Sequence, residues 1–151
     1  MSELLTPDMK AWIGRSEPPM TVEVTRREIV KYAIATEQHQ EKYLRGDEAP
    51  PMFLFGLFRP VVPVEDLAED GLATTIVGPP LPLKRNMAGG LEIKQYQPIR
   101  PGQQLVGTRT LVDMNEKTGR QGPIIFMTYK LAVTTEDGEP VADEFQTRIA
   151  R

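Results

Sequence analysis

Hydrophobic and polar positions alternate with a period of two through the last third of the chain. Leu91 and Ile93 alternate with Glu92 and Lys94, the signature of a half-buried strand. Residues 104–114 form a second strand, with Val106, Thr108, Thr110 and Val112 on one face. A third covers 124–134, where the Ile-Ile-Phe-Met run predicts a central strand covered on both faces. Val141, Asp143, Phe145, Thr147 and Ile149 share one face of a closing strand. Residues 115–122 and Glu136-Asp137-Gly138 supply turns. Pairing each strand with the next predicts a meander, and its apolar face needs a cover.

The first half carries helical spacing instead. Thr6-Pro7-Asp8 is a helix start, and Met9, Trp12 and Ile13 make one apolar face before Gly14. Met20, Val22 and Val24 alternate with polar residues in a short strand. Thr25-Arg26-Arg27-Glu28 is a capping box, and Ile29, Tyr32, Ala33 and Thr36 line one face of the helix it opens. Pro50-Pro51 precedes the apolar run 52–58. That run suits a strand or a buried helix, and the need to cover the sheet selects the helix. Residues 64–72 suit a short surface helix, and Gly78-Pro79-Pro80-Leu81-Pro82 an extended connector. The stretch 87–103 divides the two textures: Gly89-Gly90 opens a strand, and Arg100-Pro101-Gly102 closes it with a turn at Gly102. The sum is an α+β fold, an antiparallel sheet wrapped around a central helix, which is the hot-dog architecture.

Composition narrows the chemistry. The chain has 151 residues and is expected to form one domain over 1–151. A net charge of −3 gives no sign of a nucleic-acid binder. With no cysteine, a disulfide framework, a cysteine zinc site and a cysteine nucleophile are excluded. The one histidine, His39, rules out a histidine-rich metal site within one chain, and its polar surroundings suggest an exposed helix end. The first residues lack the basic and long apolar regions of a signal peptide, and no apolar run is long enough to span a membrane. The expected location is the cytoplasm, with no metal and no cofactor.

Several residues carry two readings each. Gly89-Gly90 either aims backbone N–H groups at a carbonyl, as an oxyanion site does, or forms a β-bulge. Arg120, between two glycines in 119–122, either meets a phosphate or is an exposed hairpin arginine. Phe53, Phe55 and Phe58 either line an acyl tunnel or pack the core.

Five segments resemble a known family in order and spacing: Ala49-Pro50-Pro51-Met52-Phe53, Ala88-Gly89-Gly90-Leu91-Glu92, Pro98-Ile99-Arg100-Pro101-Gly102, Gly119-Arg120-Gln121-Gly122-Pro123 and Asp137-Gly138-Glu139-Pro140-Val141. The chain resembles the N-terminal-type (FAS1-like) domain of MaoC-like dehydratases, relatives of (R)-specific enoyl-CoA hydratases and hydroxyacyl thioester dehydratases. Trp12-Ile13-Gly14-Arg15 is similar to the opening of relatives that hydrate branched or dicarboxylic enoyl-CoA thioesters.

The resemblance implies a coenzyme A or carrier-protein thioester as substrate, with Gly89, Gly90, Phe53, Phe55 and Arg120 along its path. Catalytic members carry a Gly-Asp-x-Asn-Pro-x-His motif. Here Gln38 falls at the Asp position, Tyr43 at the His position, and Gln40-Glu41 replace Asn-Pro. Glutamine is no base, and tyrosine ionises only near pH ~10. The resemblance therefore implies a domain without the catalytic pair, whose partner is a homologous hot-dog subunit that carries it, or a second copy of itself. A self-sufficient homodimeric hydratase or thioesterase is the second expectation; the thioesterase would need a carboxylate near the central helix, for which Asp47 and Glu48 are the candidates. An acyl-thioester binding module without turnover is the third expectation.

Overall fold

The computed structural model describes residues 4–69, 71–73 and 77–151. In chain order these form α1 (Pro7–Lys10), β1 (Met20–Glu23), α2 (Arg26–Ala35) and α3 (Glu41–Leu44). A 3₁₀ turn (Pro51–Phe53) then runs straight into α4 (Leu54–Leu57), and a second 3₁₀ turn covers Val64–Asp66. Four long strands complete the chain: β2 (Asn86–Gln95), β3 (Gln104–Gly119), β4 (Gly122–Thr135) and β5 (Pro140–Ala150).

All strand pairings are antiparallel, in the order β1-β3-β4-β5-β2. β3, β4 and β5 are the expected meander. β2 departs from it: it pairs with β5, from Asn86 opposite Ala150 to Gln95 opposite Ala142, and not with β3. The cause lies in the connector that follows. With Pro98 and Pro101 it cannot close a tight hairpin, so it crosses the end of the sheet. Tyr96 N–H donates to Val141 on the β5 side (2.9 Å), and Gly102 N–H to Val24 on the β1 side (2.8 Å). Gly102 holds φ +87° at the turn, and Ile99 is buried under the crossing. β1 takes the free edge of β3.

Other boundaries moved for local reasons. β3 and β4 run through most of 115–122, because the register continues to Gly119 opposite Gly122 and leaves Arg120-Gln121 as the hairpin tip. Among the described residues, 64–72 hold one 3₁₀ turn and no longer helix; Ala68 N–H bonds Leu72 and Leu67 bridges Ala73. Asp70 lies outside the described residues. The capping box forms as expected, with Thr25 accepting from Glu28 N–H and Glu28 from Thr25 N–H.

The central cover is shorter than the apolar run 52–58 suggested. It is a 3₁₀ turn plus one helical turn, ended before Pro60, and α2 shares the work. Phe53, Leu54 and Phe58 from this element meet Val24, Ile29, Ile99, Leu105, Leu131, Val133 and Val141 in one apolar cluster. Phe58 lies so close to β3 that a Cβ on Gly107 would stand 2.6 Å from its ring. A second cluster, toward the other end of the sheet, joins Leu5, Leu111, Met114, Ile125, Met127 and Tyr129, with Trp12, Leu81 and Leu83 against it. No helix among the described residues is long and apolar enough to cross a membrane.

Candidate functional site

Between the two clusters the covered face of the sheet turns polar. On β5 the residues facing the helices are Ala142, Glu144, Gln146, Arg148 and Ala150: the two alanines belong to the clusters, and the three polar residues line cavities beneath Phe55, Arg59 and the 78–84 segment. Asp143 and Phe145 lie on the other face, where Lys130 Nζ pairs with Asp143 (3.2 Å) and stands 5.7 Å from the Phe145 ring. Val141 and Ala142 are both buried because the pairing with β4 shifts register beside them.

Glu144 is 3% exposed, and its Oε2 has no hydrogen-bond partner. Burial pushes its carboxyl above the usual range, against the pull of Arg109 and Arg59. Arg109, on β3, pairs with Glu17 at 3.2 Å, and Glu17 also accepts from Val77 N–H at 3.0 Å. Arg59 stacks on Phe55, its guanidinium 4.2 Å from the ring centroid. A space of about 20 Å³ lies among Phe55, Arg59, Arg109, Glu144, Gln146 and Arg148, room for about one water molecule. Arg148 also lines a larger groove, about 460 Å³, walled by Pro79, Leu81, Leu83, Met127 and Tyr129. Its guanidinium is 5.7 Å from the Tyr129 ring, and burial lowers its pKa. Burial likewise raises that of the Tyr129 hydroxyl.

The residues singled out from the sequence do not converge on one point. Phe53 is 6% exposed and packs edge-on against Tyr32, with ring centroids 5.6 Å apart. Phe55 alone joins the polar row. Gly89 sits in a β-bulge of β2, inside the strand and not at its opening, and a Cβ there would stand 2.9 Å from Ile149. Gly90 is open to solvent. Arg120 is exposed at the β3–β4 tip and borders a separate groove of about 650 Å³ with Lys84, Arg85 and Arg151.

Gln38 is tied back into the end of α2, its N–H to Ala33 (2.9 Å) and its amide to Thr36 (3.3 Å). Tyr43 is buried at 8% exposure beneath Lys42, and His39 is exposed. Asp47 accepts from Arg26 (2.6 Å) and Arg45 (3.0 Å), which hold its carboxyl below the usual range. Glu48 pairs with Lys42 at 3.0 Å. The sequence reading missed Glu144, Arg109 and Arg148. The available signal was the polar set 144, 146 and 148 on one face of a strand whose ends, Ala142 and Ala150, are small and apolar.

The model of the FAS1-like dehydratase domain region matches residues 11–144. The mesaconyl-C(4)-CoA hydratase of Chloroflexus aurantiacus is 29% identical over 124 residues, which are 80% of this chain and 43% of that protein. The chain thus spans less than half the length of this relative. Among solved structures, the ChsH1–ChsH2 complex of Mycobacterium tuberculosis superposes with a TM-score of 0.66 at 16% identity, over 95% of this chain and 86% of that one. The C-terminally truncated HadBC (3R-hydroxyacyl-ACP dehydratase) complex of M. tuberculosis gives 0.62 at 15% identity, over 92% and 97%. At such identities the structural likeness speaks for the hot-dog fold. The family match, covering most of the chain, goes further: this chain belongs to the FAS1-like dehydratase domain family.

Proposed function

We propose that the chain is the non-catalytic, substrate-shaping part of a 2-enoyl thioester hydratase or 3-hydroxyacyl thioester dehydratase. A homologous hot-dog partner supplies the general acid and base. The observation that carries this reading is the chemistry at the motif positions: Gln38 is bound into the end of a helix, and Tyr43 is buried. Neither supplies the aspartate or the histidine of the motif. The hydratase relative, more than half of whose length lies outside the matched span, supports an activity that needs more than this domain. Two of the similar solved structures are complexes of two named components, ChsH1–ChsH2 and HadBC. β2, ten residues long, is an edge of the sheet, and a second sheet paired there would remove an exposed strand edge. The substrate is a coenzyme A or carrier-protein thioester, and no separate cofactor is required for adding water to an activated double bond.

The test is hydration of crotonyl-CoA by the purified chain, alone and mixed with a hot-dog protein bearing an intact Asp-x-Asn-Pro-x-His motif. The chain alone is expected to be inactive, and the mixture active above either component. Robust turnover by the chain alone, abolished at Tyr43 or His39, would overturn the reading. A thioesterase using Asp47 or Glu48 is disfavoured, since both carboxylates are committed to surface ion pairs.

A further inference from the structure

The 77–84 segment supplies one wall of the groove of about 460 Å³, and it is neither helix nor strand. Pro79, Pro80 and Pro82 bring it no backbone N–H. It lies on the sheet through apolar contacts: Pro79 is buried, and Val77, Leu81 and Leu83 pack half-buried against the cluster of Met127 and Tyr129. The backbone at Gly78 comes so close that a Cβ there would stand 3.1 Å from the Tyr129 hydroxyl. Among the described residues, the hydrogen bonding of 77–84 is confined to one bond at one end, where Val77 N–H donates to Glu17 at 3.0 Å. Just past the other end, Arg85 exchanges two backbone bonds with Arg151, at 3.0 and 2.9 Å, and β2 begins.

Glu17 is itself anchored on β3. Its N–H donates to the Arg109 carbonyl (2.8 Å), and its second carboxylate oxygen pairs with the Arg109 guanidinium (3.2 Å). Both side chains are largely buried, so salt screens the pair little. One carboxylate therefore joins β3 to the groove wall, and its bond to Val77 is charge-assisted. A segment fixed at its two ends, with side-chain contacts alone between them, opens at lower cost than the strands beneath it, which are held by ladders.

We propose that 77–84 is a strap that closes the groove over β4 and β5, with Glu17 as its latch and the Arg85–Arg151 bonds as its hinge. Released at Val77, it uncovers Met127, Tyr129 and Arg148 and opens the groove along one side. The strap stands apart from the thioester reading: a chain inactive with every hot-dog partner would still carry it.

Native-state proteolysis by trypsin tests it. Lys84, exposed at the hinge end, offers a cut on the strap, whereas a cut after Lys130, within β4, needs the sheet itself to open. Val77→Pro removes the strap's donor and leaves the Glu17–Arg109 pair in place. The double variant Glu17→Met/Arg109→Met removes the acceptor without leaving a buried charge unpaired. In both, cutting after Lys84 is expected to be at least about tenfold faster than in the native chain, the loss of one charge-assisted bond. Cutting after Lys130 and the melting temperature should change little. Glu17→Gln, which keeps an acceptor and loses the charge, should fall between. Unchanged cutting after Lys84 in either variant would overturn the latch. An equal rise at Lys84 and Lys130 would do the same, since Glu17 would then serve the general packing and hold no separate strap.

Discussion

Glu144 shows how much one residue depends on which face of a strand is covered. Its carboxyl is raised by burial, so the folded state holds its proton more tightly than the unfolded chain does. The stabilising contribution is therefore full below the ordinary carboxylate range and is lost as pH rises through the folded-state value. Glu144→Gln keeps the shape and removes the titration. At pH 7 this variant is expected to melt a few degrees above the native chain, since folding there must bury the charge or take up a proton and the glutamine removes that cost of roughly 1 kcal/mol or more. The difference should shrink as pH falls toward about 4.5; melting curves from pH 4 to 8 measure it, and a constant offset would sink the assignment. Gly107 is the opposite case, a residue needed for what it lacks. Gly107→Ala places a methyl 2.6 Å from the Phe58 ring, and urea unfolding is expected to register a loss of about 1–3 kcal/mol. Of the residues picked from sequence, Phe53 and Phe58 pack the core, Arg120 borders a separate groove, and Phe55 alone reaches the polar row.

Elements were legible where a local rule decides them. The capping box at Thr25 and the long alternations of β3 and β4 need only neighbours in sequence. Thr25→Ala is expected to lower stability by about 1 kcal/mol in the same urea measurement, because Glu28 N–H loses its acceptor at the start of α2. The short cover over the sheet was legible as an apolar helix after Pro51 but not in its length. Gly56 and Pro60 limit it, and the fused 3₁₀ turn does the rest. Phe58→Ala, at its end, empties the space against Gly107 and should cost about 3–5 kcal/mol. The 64–72 helix failed because a weak pattern yielded to a turn closed by the Leu67–Ala73 bridge.

At the scale of the whole molecule, the expected behaviour is association. β2 leaves one long edge for another sheet, so sedimentation of the purified chain should find dimers or larger species, and a mixed dimer once a motif-bearing partner is added. A monomer under both conditions would contradict the proposed partnership. The sequence by itself determined the strands, their lengths within a few residues, the helix cap and the α+β class. These follow from side-chain period, turn chemistry and residue type, all local quantities. Only the tertiary structure decided that β2 pairs with β5, because a Pro-rich crossing and a swap of edges are invisible to periodicity. Only it decided which face of β5 is covered, since alternation divides a strand into two faces and burial chooses between them. That choice places Glu144 and Arg148 inside, between two apolar clusters, where removal from water gives their charges consequence.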